Sequence, residues 1–380
     1  MNTPSTPANT FPLSLWQKRQ AAMLYRWMSL DYLKQLKTLI GKLIQGADVL
    51  VDLSERQGRD ALIANPRWGV RDTTTNWTTY AYPALEDFRK STLRLIGWRA
   101  NEIYCGTGAY QCAQMLEEFS SGWMTEDEED RFKQQFEAIF SYASRIDEAA
   151  GAGGLRNLND ESMDWYWFDK REAEHFPRLP KFRVRTDIQG KNGKVPPKTG
   201  VYVPQDDPHG VLQFAWTGNS DGELDEVYTF SDVGLEALRA VGRRGFWRDE
   251  ARMVAYVSEA LRQGRLQPDC GIGVGQVTNL NRANLVLGGQ ANTKRPCNWL
   301  FVEMIDGEFD DTADDEEAAP AMRRPNVPAG QPCPESGWWF TPAQPGSRRY
   351  FKVGSTMPSL GGDYGDTFWQ WSPDQGAPKL

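Results

Sequence analysis

TEDEEDRFKQQFEAIFSYASRIDEAAGAGG, residues 125–154, is the stretch from which the fold class can be read. Thr125 and Glu128 stand in the Thr-x-x-Glu spacing of a capping box, which satisfies the orphan amides of a helix start. Acids fill the following turn, where the helix dipole favours negative charge. Phe132, Phe136, Ile139, Phe140, Ala143 and Ile146 then recur on one face. Gly151, Gly153 and Gly154 end the run. A long helix with one apolar face must bury that face against other elements, so neighbouring helices are expected.

They are legible upstream. Leu15, Met23 and Trp27 form one stripe, and Tyr32, Leu33, Leu36, Leu39, Ile40 and Leu43 follow the i, i+3, i+4, i+7 rule. Leu85, Phe88, Leu95, Ile96 and Ile103 continue the theme. The predicted organisation is a flexible tail over 1–13 and a helical bundle over 14–175.

Downstream the pattern changes period. Phe182, Val184, Thr186 and Ile188 alternate with polar residues, as in a strand, and Gly190-Lys191-Asn192-Gly193 reads as a turn. Residues 200–203 and 211–216 read as paired strands across the turn-rich PQDDPHG. Helices are expected near 231–241, with Ser231 as cap, and near 249–262, with Asp249 as cap. Val274, Val277, Leu285, Val286 and Leu287 read as short strands or buried loops. The predicted α+β domain spans 176–305. An acidic, Pro-containing linker over 306–330 follows, and a small aromatic-rich β module over 331–380 closes the chain. The fold class is therefore α+β: an N-terminal helical bundle, a mixed α/β region and a small C-terminal β module.

Composition narrows the function. Of the 380 residues 40% are apolar, with 15 Trp, 17 Phe and 13 Tyr, so most of the chain folds. The net charge of −8 argues against a nucleic-acid partner, which needs clustered Lys and Arg. No basic residue precedes Lys18, no apolar core of a secretory signal follows it, and no stretch approaches the roughly 18 uncharged apolar residues of a membrane span. A reducing cytoplasm is the expected compartment, with no membrane partner. Cys105, Cys112, Cys270, Cys297 and Cys333 are odd in number and widely spaced, which predicts neither a disulfide framework nor a zinc site.

The usual catalytic motifs do not occur. There are two histidines, His175 and His209, and no H-E-x-x-H, G-x-S-x-G or Walker A loop. CGIGVGQ at 270–276 begins like a dinucleotide loop, but Gln276 stands where the third glycine belongs. Asp206, Asp207 and His209 form the nearest approach to a catalytic cluster, since carboxylates beside an imidazole can exchange protons. Asp-Asp-Pro-x-Gly is also ordinary turn chemistry, and that reading is preferred. No catalytic residue, cofactor or metal is assigned.

Candidate binding residues come from two places. Trp165 and Trp167, in MDWYWFDK, are of the type that anchors protein interfaces, although most tryptophans serve a core. Asp310, Asp311, Asp314 and Asp315, in EFDDTADDEE, can attract a basic partner surface. Asp206 and Asp207 join them as candidate contacts.

LPKFRVRTD (179–187), KVPPKTGVYVPQDDPHGVLQFAWTG (194–218) and TFSDVGLEALRAVGR (229–243) together resemble the immunity-protein-71 and immunity-protein-72 families of polymorphic-toxin systems. CPESGWWFTPA, RRYFKVGSTMP and GDYGDTFWQW near the end resemble a tail found in such proteins. The resemblance implies a protein encoded beside an antibacterial toxin, often a type VI secretion effector, that binds and neutralises it. It carries over no catalytic or contact residue. An enzyme that reverses or degrades the toxin's product, and an adaptor of the secretion system, are the alternatives. Self-association stays open.

Overall fold

The computed structural model describes residues 11–63, 70–151, 158–310, 327–341, 347–359 and 367–372. The chain divides into two compact units, Met1–Val241 with Gly245–Ala313, and Gly242–Arg244 with Asp314–Leu380. The architecture is α+β, with the helical region first, a mixed region next and a small sheet last.

The first unit opens with helices α1 (Leu15–Trp27), α2 (Leu30–Arg56), α3 (Arg59–Ile63), α4 (Thr74–Tyr80), α5 (Tyr82–Trp98), α6 (Ala109–Glu118) and α7 (Glu126–Ala150). Helix α7 starts and stops where its sequence dictates. Thr125 and Glu128 close the capping box, and Gly151 takes φ +68° at the C-terminal end, a conformation glycine adopts freely. Glu128 also takes a two-pronged bond from Arg59, at 2.6 and 3.0 Å, which fastens α3 to the start of α7. That pairing holds the Glu128 carboxyl down at about 2.

Helix α8 (Asp160–Phe168) leads into a sheet whose order is β1 (Pro180–Lys191), β6 (Asn298–Phe309), β2 (Gly200–Pro204), β3 (Gln213–Ala215). Every pairing in it is antiparallel. The alternation over Phe182–Ile188 is that of β1, whose outer face stays half exposed. The predicted turn at 190–193 begins later than expected, because β1 continues to Lys191 and only Gly193, at φ +66°, reverses the chain. The segment 306–309, assigned to the acidic linker, instead completes β6: Pro180 pairs with Phe309, and Lys181 bonds Glu308 at 2.8 Å.

Helix and sheet share one core. Leu24, Trp27, Ile146 and Tyr166 pack in the same apolar cluster as Val201, Val203, Phe214 and Val302. Polar ties cross it as well: the Leu212 amide donates to Gln20 Oε1 at 3.0 Å, and the Tyr25 hydroxyl donates to the Val302 carbonyl.

A second cluster is built by α9 (Asp232–Val241), α10 (Glu250–Arg262) and α11 (Leu280–Ala291), beside the two-stranded sheet β4 (Val227–Phe230) with β5 (Asn292–Arg295). The caps fall as predicted: Ser231 Oγ accepts from the Gly234 amide, and Asp249 from the Arg252 amide. Helix α11 corrects the expectation of short strands over 285–287. Asn279 caps it, and Ala283, Val286, Leu287 and Ala291 are buried at helical spacing, so the packed face outweighs the glycine pair at 288–289.

The second unit carries a four-stranded antiparallel sheet in the order β7 (Val327–Pro328), β10 (Phe368–Trp371), β8 (Gly337–Phe340), β9 (Arg349–Phe351). Its core is Val327, Cys333, Trp339, Met357 and Trp369, with Phe351 against it.

Candidate functional site: an acidic pocket framed by tryptophans

The two candidate tryptophans part company. Successive positions on one helix turn point apart, and Trp167 is 5% exposed, stacked on Phe176 with Arg19 over its ring. It is core, not recognition surface. Trp165 is 44% exposed, with Lys170 Nζ 4.5 Å above its ring.

The acidic candidates also separate. Asp206 is exposed, whereas Asp207 is 4% exposed. Its Oδ1 accepts from the His209 amide at 3.0 Å, and its Oδ2 is ion-paired with Arg295. Its carboxylate is thus committed to the turn and to β5. Asp310 is tied down as well, 2.6 Å from Lys18 Nζ, with its amide donating to the Leu179 carbonyl. Asp311, Asp314 and Asp315 lie outside the described residues.

Trp165 does open onto a pocket of about 310 Å³. Its walls come from α7 (Glu148), from the start and outer face of α8 (Asn159, Glu161, Ser162, Asp164, Trp165, Tyr166), from Asp169, and from the α10–α11 region (Trp247, Asn284). No basic residue is among these described lining residues.

Each carboxylate has a different fate. Asp160, at the back of α8, accepts from two indoles, Trp16 Nε1 at 2.9 Å and Trp247 Nε1 at 3.0 Å. Asp164 and Asp169 lie 3.0 Å from Arg248 Nε and Nη2 respectively. Glu148 accepts from the Tyr166 hydroxyl at 2.7 Å; burial pushes its carboxyl up, against the pull of that bond and of Arg145. Glu161 has no hydrogen-bond or ion-pair partner among the described residues. Burial, with Asp160 and Asp164 adding like charge, pushes its carboxyl up to about 7. Opposite it, Asn284 donates through Nδ2 to the Trp247 carbonyl at 3.1 Å, but its buried Oδ1 has no partner.

Helix α11 leaves room for Glu161 through Gly288, where a Cβ would lie 2.8 Å from Glu161 Oε2. A site with an unpartnered, half-buried carboxyl, a free amide oxygen and aromatic walls is complementary to a cation. Among the described residues, no three acidic, histidine or cysteine side chains are grouped to hold a metal ion.

Of this pocket the sequence reading singled out Trp165 alone. Glu148 and Asn284 come from segments remote from α8, and acids at the start of a helix such as α8 are ordinary complements of its dipole. The available signal was the density of acids and indoles in DESMDWYWFD.

No protein-family model, curated protein or solved structure matches the chain. Among the described residues no helix is long and apolar enough to cross a membrane.

Proposed function

We propose that the chain is an immunity protein that binds and neutralises an antibacterial toxin, a type VI secretion effector, in the cytoplasm of the producing cell. The toxin part of this reading rests on the resemblance carried by residues 179–243 and the closing segment. The binding part is supported by one observation above others: the pocket beside exposed Trp165 holds an uncompensated carboxyl and no basic lining residue, as a surface awaiting a basic protein partner would. The distinctive TGVYVPQDD stretch builds the sheet, with Val201, Tyr202 and Val203 fully buried, so the resemblance lies in scaffold rather than in contact residues.

The test is co-expression with the product of the adjacent toxin gene. A stoichiometric complex with a nanomolar or tighter constant, about −12 kcal/mol, is expected. Protection of cells without a detectable complex would overturn the proposal.

The enzymatic alternative is favoured by a different observation than the Asp206–His209 cluster. A carboxyl held near 7 in a pocket has the acidity of a general acid or base. Protection at substoichiometric amounts, lost in Glu161→Gln, would favour it.

A further inference from the structure

We infer that the α8 pocket receives a single arginine side chain from the chain's protein partner. The inference rests on the binding reading above and specifies what the partner presents.

Charge comes first. Arg248 faces Asp164 and Asp169, and Tyr166 faces Glu148, so the demand for positive charge concentrates on Glu161. A cation placed there gains an unpartnered, half-buried carboxylate and offsets the like charge that Asp160 and Asp164 set beside it.

Shape selects among cations. The free acceptors are a carboxylate on α8 and the Asn284 Oδ1 on α11, on different elements. A guanidinium carries five donors in one plane and can serve both at once; an ammonium is a compact point charge. Trp165 offers a partly exposed indole at the mouth; Lys170 Nζ already stands 4.5 Å from its ring, and a planar guanidinium stacks there better than that ammonium. At about 310 Å³ the pocket is at the small end of ligand sites, which span roughly 300–1,000 Å³, and suits one side chain.

The test uses the full chain with tryptophan ¹⁵N-labelled and three neutral-backbone probes: Nα-acetyl-L-arginine methylamide and its lysine and citrulline counterparts. The arginine probe is expected to shift the indole signals saturably in the millimolar range, the lysine probe more weakly, and the uncharged citrulline probe not at all. Glu161→Gln is expected to weaken the arginine probe roughly ten-fold or more, while Glu55→Gln on the exposed side of α2 leaves it unchanged. Equal responses to arginine and citrulline, no saturable shift, or an undiminished response in Glu161→Gln overturns the inference.

The two proposals fail separately. A chain that takes the arginine probe through Glu161 but captures no toxin overturns the immunity reading and leaves the pocket's preference standing. A chain that holds its toxin equally well after Glu161→Gln overturns the arginine pocket alone.

Discussion

Arg145 Nε lies 2.6 Å from Glu172 Oε1, and both side chains are shut away from solvent, at 10% and 2% exposure. The other Glu172 oxygen meets Arg26 Nη1 at 2.8 Å, so one carboxylate joins α1, α7 and the 3₁₀ turn Glu172–His175. Removing one member of a buried ion pair costs about 3–5 kcal/mol, because the partner charge stays buried without compensation. Glu172→Ala should therefore lower the free energy of unfolding in urea by that amount. A loss below about 1 kcal/mol would show the contact to be energetically idle.

Glu161 reverses the usual pH argument. Its folded-state value near 7 stands above the ordinary 4.5, so the folded chain binds more protons between those limits and loses stability as pH rises through them. The groups around it are Asp160 and Asp164 on α8, Glu148 on α7, Asp169 beyond α8, and Arg248 beside the last. Glu161→Gln removes the penalty. It should raise the melting temperature at pH 8, by a stabilisation on the order of 1–3 kcal/mol, and change little at pH 4. Equal effects at both pH values would contradict the assignment.

Asp207→Asn keeps an acceptor for the His209 amide but breaks the Arg295 ion pair. Arg295 is half exposed, so solvent screens the loss, and a cost of about 1 kcal/mol is expected. On the proposed immunity reading, protection against the toxin should survive. A folded Asp207→Asn variant that binds toxin but no longer protects would return the catalytic reading to this turn.

Trp339 sits fully buried in the second unit's small core and donates through Nε1 to the Glu335 carbonyl at 3.2 Å. Trp339→Ala should cost about 3–5 kcal/mol, most of the stability that a unit of this size can hold. Limited proteolysis should then cut within residues 327–372 while the first unit persists. Survival of the module under the same protease would disprove the estimate.

All five cysteines are free, and they differ in access: Cys270 is exposed, Cys112 and Cys333 are buried. Burial also pushes the Cys112 thiol up to about 12. A thiol reagent should label Cys270 first in the native chain and reach five groups only after denaturation. Fewer than five under denaturing, non-reducing conditions would reveal a disulfide.

What could be read from the sequence was local. Thr125, Ser231 and Asp249 cap helices through contacts three residues away, and β1 and α7 each repeat their own period. Helix α11 was misread because its glycines weaken the helical signal, while the compensation lies elsewhere: Gly234 on α9 lets the Ala291 carbonyl approach so closely that a Cβ would stand 2.1 Å from it. The pocket was hidden for the same reason. Glu161 becomes unusual only when Gly288 and Asn284 arrive from a segment more than a hundred residues on, and no spacing rule connects them.

Strand β6 lies between β1 and β2, and pairs Phe182 with Met304 and Val201 with Val302. During synthesis, β1 leaves the ribosome long before β6, the strand it pairs with among the described residues, exists. At about 5–20 residues per second the wait is on the order of ten seconds, with one whole strand's amides and carbonyls unpaired. A chain interrupted near residue 297 would contain every helix found among the described residues yet lack an inner strand of its main sheet. Such a fragment would present two raw sheet edges and be a substrate for chaperones and proteases. The main sheet of the first unit is thus completed only once translation has passed residue 309.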